Sequence, residues 1–177
     1  MNTIEISKFK TAYGELLLGS YENKLCICDW YYRKMRNQID SRIKSALDAE
    51  YLEKESEVIT ETKKQLNEYF LALRKEFNIP LLLLGTPFQI KVWEALQKVS
   101  YGKTSSYLKL SEQLGNTKAV RAVATANGAN AISIIIPCHR IIGSTGSLVG
   151  YAGGLSVKER LLELEQQRNN NQLKLTL

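Results

Sequence analysis

Several things are scarce in this chain, and each scarcity excludes something. Proline occurs three times and histidine once in 177 residues, while 44% of the residues are apolar and 24% charged. That is the composition of a chain able to bury a core, and not of a disordered or fibrous one. No apolar run approaches the roughly 18 residues needed to cross a bilayer. The opening Met1-Asn2-Thr3-Ile4-Glu5 lacks the basic and apolar regions of a secretory signal, so the expected compartment is the cytoplasm. Cysteine is limited to Cys26, Cys28 and Cys138, expected there as thiols. They form no C-x-x-C pair, and the lone His139 allows no H-x-x-x-H spacing, so neither a metal site nor a cofactor is expected. Cys26 and Cys28, two apart on a strand, are expected to pack on one strand face.

Acidic residues are scarce in one half only. Residues 1–80 carry 13 Lys and Arg against 13 Asp and Glu, whereas residues 81–177 carry 11 against 5, which is the whole of the +6 charge. Within residues 86–150 the basic residues are seven and the acidic ones two. A basic half-chain is what a polyanion-binding surface needs.

The length suits one ordinary domain or two small ones. Strand-like runs at Thr3–Ile6, Glu15–Gly19 and Leu25–Trp30, separated by Tyr13-Gly14 and Glu22-Asn23, predict an antiparallel meander. A helix from about Thr60 to Phe77 would place Leu66, Tyr69, Phe70, Leu73 and Phe77 on one face. Asn78-Ile79-Pro80 ends it, and the apolar run Leu81–Leu84 leads to Gly85-Thr86-Pro87, a domain junction. No motif in this first half carries chemistry.

The second half opens on a clear helix start, with Thr86 as N-cap, Pro87 at the first helical position and Gln89 completing a capping box. Val92, Trp93, Leu96 and Val99 form its apolar stripe. After the turn Tyr101–Thr104, a short helix from Ser106 to Leu114 stops at Gly115. Another follows from the cap Asn116-Thr117 to Gly128. Two short helices across a tight turn are a helix-turn-helix pattern. The second, Lys118–Asn127, is rich in alanine around Arg121, so it is either an internal helix with Arg121 reaching water or a helix that approaches DNA closely.

Downstream, the run Ile132–Ile142 predicts a buried strand interrupted by Pro137, Cys138, His139 and Arg140. Polar groups set among apolar flanks must be paired or held there for chemistry. A free thiol is only a few per cent thiolate at neutral pH, and a nearby base raises that fraction. A thiolate is soft and suited to displacement at carbon. On a strand, neighbouring side chains diverge, so His139 would reach Cys138 through a bent backbone, which Pro137 could supply, or a bridging water.

The run Ile136-Pro137-Cys138-His139-Arg140-Ile141-Ile142 resembles the active-site signature of the O6-alkylguanine-DNA alkyltransferases, single-turnover repair proteins that move an alkyl group from a guanine oxygen to their own cysteine. The resemblance extends through Thr86-Pro87-Phe88-Gln89 with Val92-Trp93, Gly102-Lys103 with Ser106-Tyr107, Ala119–Val123, Asn130, Tyr151–Leu155 and Lys158-Glu159, covering residues 86–165. It implies an α+β chain with a ribonuclease-H-like small unit over residues 1–80. A mainly helical, winged-helix-like DNA-binding and catalytic domain would follow over residues 81–177. It makes Cys138 the alkyl acceptor, His139 its base through water, Glu165 the group that orients His139, and Asn130 the brace of the active-site strand. Arg121 would fill the gap left by an extruded base, and Tyr107 would help rotate the nucleotide and contact the purine. Ser106, Lys118, Ala122 and Arg140 join the DNA-facing set, while Ile141, Tyr151 and Ala152 would line the guanine pocket. Ala152 departs from the serine of many relatives, leaving only its backbone N–H for the guanine oxygen. The implied partner is double-stranded DNA containing O6-alkylguanine, met by a monomer and away from any membrane.

Two other classes remain to be separated. A helix-turn-helix regulator or damage sensor without transfer activity explains the basic half but leaves Pro137–Arg140 without a purpose. A cysteine hydrolase would turn over repeatedly, and no oxyanion site is evident in the sequence. The terminal stretch from Gln166 to Leu177, with Asn169-Asn170-Asn171, is expected to fray.

Overall fold

Alternating apolar residues in the first thirty positions build the expected meander of β1 (Asn2–Thr11), β2 (Gly14–Tyr21) and β3 (Lys24–Trp30), all antiparallel. The computed structural model describes residues 2–175, with side chains described through residue 167. The β2–β3 hairpin turns on Glu22 and Asn23, whose φ angles of 47° and 59° match the twist a two-residue loop requires. A register shift beside Gly19 and Ser20 pairs Ile27 with Gly19 and Leu25 with Ser20, leaving Cys26 as an extra residue. That bulge changes the facing of the strand. Cys28 therefore packs with Leu16, Leu18 and Trp30, while Cys26 packs with Ile4, Leu17 and Ile27 on the other side. The expectation that both thiols share a face is corrected.

Two elements lie in what reads as a polar stretch. The helix α1 (Arg36–Leu47) buries only Ile39 and Ile43, one turn apart, too narrow a stripe to stand out among nine polar or small neighbours. It carries the chain to β4 (Ala49–Glu53), which pairs parallel with β1. The sheet order is thus β3-β2-β1-β4. On the opposite face lies α2 (Glu57–Phe70), N-capped by Ser56, whose hydroxyl accepts from Ile59 N at 3.2 Å. The expected helix from Thr60 to Phe77 is displaced. It begins a turn earlier and stops where Ala72 adopts φ 56°, leaving Leu73 exposed. Ile59, Leu66 and Tyr69 supply its core face.

The free edge of β3 is covered by the second half of the chain. Leu25 N donates to Pro80 O and Leu82 N to Leu25 O, while Cys28 N donates to Ala131 O and Ser133 N to Cys28 O. An exposed edge is thereby removed, and one buried cluster runs from Leu16 and Trp30 through Tyr69 and Trp93 to Cys138 and Leu161.

The expected cap forms at α3 (Pro87–Leu96), with both arms of the capping box between Thr86 and Gln89. The helix-turn-helix consists of α4 (Tyr107–Gln113) and α5 (Val120–Gly128), joined through Gly115 at φ 79° and a 3-10 turn over Thr117–Ala119. One face of α5 buries Val123, Ala126 and Asn127, and the indole of Trp93 donates to Ala126 O at 2.8 Å. Its other face exposes Arg121 and Ala122.

The strand expected over Ile132–Ile142 does not form. Only β6 (Ile141–Ile142) is extended there, paired parallel with β5 (Ser105–Ser106). The preceding residues are a buried loop whose backbone groups bond to β3 and to Asn130, so the β-branched run reports burial, not strand. Finally α6 (Leu155–Leu175) sends Val157 and Leu161 into the shared core. Gln166 and Gln167, expected to fray, continue this helix as exposed residues. The side chains from 168 onward, with residues 176 and 177 entirely, lie outside the described residues. No helix of the described residues is long and apolar enough to cross a membrane.

Candidate active site

The loop that presents Cys138 is held by the backbone and by one amide. Asn130 Nδ2 donates to Ile132 O at 3.3 Å and Ile136 O at 3.1 Å, while its Oδ1 accepts from Ile132 N at 2.9 Å. The closure forces Ile134 to φ 72°, a costly conformation for a β-branched residue that persists only where its surroundings over-determine it. Pro137, at φ −80° and ψ 61°, makes an inverse γ-turn in which Cys138 N donates to Ile136 O at 2.8 Å. Cys138, His139 and Arg140 then form a single 3-10 turn. At three residues per turn their side chains diverge by about 120° each, so one turn feeds three environments.

His139 and Arg140 both reach Glu165, which α6 brings in on the same face as Val157, Lys158 and Leu161. The carboxylate accepts five donors. Oε1 meets His139 Nε2 at 2.8 Å, the Tyr69 hydroxyl at 2.7 Å and Arg140 Nη2 at 3.0 Å; Oε2 meets Arg140 Nε at 2.9 Å and Gly102 N at 3.1 Å. Burial alone would raise the carboxyl, but its bonds and charges with His139 and Arg140 prevail and hold it at about 2. An ionised carboxylate only accepts, so His139 Nε2 must carry the proton, and Nδ1, which has no partner among the described residues, is left with its lone pair. Burial pushes the imidazole below its ordinary range despite Glu165. At neutral pH the pair is therefore a carboxylate and a neutral imidazole, a competent base.

Cys138 is 4% exposed, and burial pushes its thiol up, opposed by Asn130 and by the charges of Arg33 and Lys158. A cleft of about 650 Å³ opens nearby, with walls that include Tyr107, Asn127, Tyr151, Ala152 and Gly153. Tyr107 and Tyr151 both have Cys138 as an electrostatic neighbour. The Tyr151 wall is fixed from two sides. From β3, Trp30 Nε1 donates to the Tyr151 hydroxyl at 3.1 Å, and a Cβ on Gly153 would meet Trp30 Cε2 at 2.7 Å, so only glycine fits there. From α6, the fully buried Lys158 ammonium donates to Ile141 O at 2.5 Å and Val149 O at 2.8 Å. Burial lowers this ammonium to about 8, with Cys138 acting the other way.

The sequence-derived residues thus fall into three groups. Cys138, His139, Glu165 and Asn130 converge on one loop and its carboxylate. Tyr107, Tyr151 and Ala152 line the cleft. Lys118, Arg121 and Ala122 stand exposed on the helix-turn-helix. Ser106 caps α4, accepting from Lys109 N at 3.1 Å, and Ile141 lies buried behind the cleft with its carbonyl on Lys158. Arg140 needs correction as a DNA-facing residue: it is 6% exposed, and its guanidinium is taken by Glu165 and by Val99 O at 2.6 Å. Among the described residues no cluster of His, Cys, Asp or Glu could hold a metal ion.

The family description "6-O-methylguanine DNA methyltransferase, DNA binding domain" matches residues 87–167. The methylated-DNA--protein-cysteine methyltransferase of Methanosarcina acetivorans is 41% identical over 157 residues, spanning 89% of this chain and 95% of that protein. The chain belongs to the methylated-DNA--protein-cysteine methyltransferase family. The constitutive Bacillus subtilis member is 39% identical over 158 residues, 89% of this chain and 92% of its own length. Among solved structures, Mycobacterium tuberculosis OGT in complex with DNA has a TM-score of 0.78 at 36% identity, over 94% of each chain. The α+β architecture is thus that of known family members.

Within this family member, sequence reasoning missed four residues. Tyr69 and Trp30 reach the site from the first half, which shows no chemical motif. Asn127 reads as an ordinary helix residue, and Lys158, although part of the Lys158-Glu159 match, is given no role. A polar residue on the buried face of α6, beside Val157 and one turn before Leu161, is the signal that could have flagged it.

Proposed function

We propose that this methyltransferase restores guanine from O6-alkylguanine in duplex DNA by moving the alkyl group irreversibly onto Cys138. Its family membership makes it a DNA-repair protein acting by direct reversal, and the residue roles follow from the site. The observation that carries them is a buried thiol whose neighbours are two tyrosines of one cleft, on the same turn as a neutral imidazole whose Nδ1 has no partner among the described residues. His139 Nδ1 takes the thiol proton through a bridging water, and the Cys138 sulfur attacks the alkyl carbon. The S–C bond forms as the C–O6 bond breaks, with its electron pair going to the purine. Tyr107 donates to the purine as charge develops, and the proton from the thiol ends on the released guanine. The product is a thioether, whose C–S bond does not hydrolyse at neutral pH, so each molecule reacts once.

The target carbon is hidden in the base stack, so the nucleotide must leave the duplex at a cost of a few kcal/mol. Arg121 on the exposed face of α5 takes the vacated place from the minor groove, with Ala122 allowing close approach. The division of labour is that residues 1–80 form a ribonuclease-H-like scaffold with a mixed sheet. Residues 81–177 form a winged-helix-like DNA-binding and catalytic domain, in which the β5–β6 pair flanks the helix-turn-helix. All the reacting groups come from one chain, which supports action as a monomer.

Incubation with a duplex containing O6-methylguanine is expected to add one methyl mass per chain, on the peptide holding Cys138. Modification elsewhere, or multiple turnovers, would refute this reading. Duplex affinity is expected to fall with salt, because Lys91, Lys98, Lys103, Lys109, Lys118 and Arg121 are all exposed. Lys118→Ala or Arg121→Ala lowers the slope of log affinity against log salt by about one, measured by fluorescence anisotropy. A slope indifferent to both would show that α5 does not face the phosphates.

A further inference from the structure

We propose that Tyr69, from α2 in the first half of the chain, is a positioning residue of the proton relay. Its hydroxyl, donated to the same Glu165 oxygen that His139 faces, restrains the pull of the carboxylate on the imidazole and keeps Nδ1 available to the thiol proton. The inference rests on the reading of His139 as the base for Cys138.

Tyr69 is fully buried. Its ring is packed by Phe77 at 5.4 Å, Phe70 at 5.6 Å and Tyr101 at 6.1 Å between centroids. A phenylalanine would fill that space equally well, so packing does not call for the hydroxyl, and a buried hydroxyl is costly unless it is bonded. Its oxygen lies 2.7 Å from Glu165 Oε1 and 3.5 Å from His139 Nε2. Because Nε2 already donates to Oε1, the phenol proton goes to the carboxylate too. Two donors then compete for the charge of one oxygen, with Arg140 Nη2 as a third.

The consequence is electrostatic. A carboxylate beside an imidazole favours the imidazolium, and each additional donor weakens that preference by taking up part of the negative charge. The groups facing His139 are Glu165 and Lys158 from α6, Arg140 from its own turn, Tyr151 from the cleft wall and Tyr69 from α2. Of these, Glu165 is the one that favours the charged form, while burial, Arg140 and Lys158 oppose it. Without the Tyr69 donor, Oε1 becomes more basic and the imidazolium more stable, so His139 holds its proton to higher pH and Nδ1 is occupied when the thiol needs it.

The test uses the full chain and exploits its single histidine, whose ring proton gives an unambiguous NMR titration. Tyr69→Phe is expected to raise the His139 pKa and to move the low-pH limb of the single-turnover transfer rate upward by about one pH unit. The plateau rate above the limb should change less than about threefold, and the end-point should stay at one methyl per chain. A residue with a structural role alone would lower the melting temperature and leave the limb where it was, which would overturn the proposal. Site-specific 3-fluorotyrosine at position 69 keeps the shape and strengthens the donor. It is expected to move the limb to lower pH, and an unmoved limb there overturns the proposal even if Tyr69→Phe does not fold. Absence of methyl on Cys138 in the unaltered chain would instead overturn the active-site reading itself. Transfer that proceeds with the low-pH limb unmoved in both variants would overturn only the role of Tyr69.

Discussion

Cys138→Ala is expected to abolish methyl transfer while leaving duplex binding within about twofold. The nucleophile forms the new bond, so no neighbouring group can substitute for it, and single-turnover rates should fall at least about 10⁴-fold. The other thiols offer no rescue. Cys28 is fully buried and pushed far up by that burial, and Cys26 is pushed up to about 12 for the same reason. Neither provides a thiolate near neutral pH, and Cys26 faces a different cluster from Cys138. Binding survives because Lys118 and Arg121 stand on the exposed face of the helix-turn-helix, away from the buried turn of Cys138. Intact-protein mass after incubation, together with anisotropy on the same damaged duplex, separates the two effects. Residual methylation of the variant would identify another acceptor and refute the assignment.

Glu165→Gln is expected to damage stability and chemistry together, by different routes. The neutral amide leaves the Arg140 guanidinium buried without its countercharge, which typically costs about 3–5 kcal/mol. For a chain of this size the melting temperature should drop by about 10 °C. The amide oxygen can still accept from His139 Nε2, but the negative charge that stabilises the imidazolium formed as the thiol proton is taken is gone, so transfer should slow by about 100-fold or more. Adding Arg140→Met to Glu165→Gln removes the orphaned charge and should restore part of the stability but none of the rate. Recovery of the rate in that double variant would show that the first loss came from unfolding.

The difference between wild type and Glu165→Gln also depends on pH in a determined direction. The folded carboxyl titrates at about 2 against an ordinary value of 4.5. Its stabilisation is therefore complete above the ordinary value and is lost as pH falls through about 2. His139, a buried imidazole held below its ordinary value, destabilises both folded chains on acidification and does not contribute to this convergence. Denaturation midpoints of the two proteins should accordingly converge as the solution is acidified.

Local signals in the chain carried a good part of this. Thr86-Pro87 with Gln89 marks a helix start through bonds that span three residues, and α3 begins there. The turn Glu22-Asn23 and the alternation around it specify the meander for the same reason. Errors arose where burial came from distant partners. Ile132–Ile136 is as apolar as a strand, yet it folds as a loop, because β3 and Asn130 satisfy its backbone and Pro137 turns it. The Cys26 bulge is invisible in the sequence, since a register shift belongs to the pairing of two strands and not to either alone. Ile39 and Ile43 mark α1 too faintly to separate it from polar surroundings.

The proposed nucleophile, the basic second half, the capped helices around the helix-turn-helix and the kinship they imply are all legible in the amino-acid sequence, because each is written in adjacent residues or in counts. What surrounds the thiol came from long-range packing. It turned Arg140 inward, set Lys158 beneath the cleft wall, and brought Tyr69, Gly102, His139 and Arg140 to the two oxygens of Glu165. Those groups meet because a shared core folds α2 and α6 against the same turn. A convergence of residues so far apart along the chain leaves no local periodicity to read.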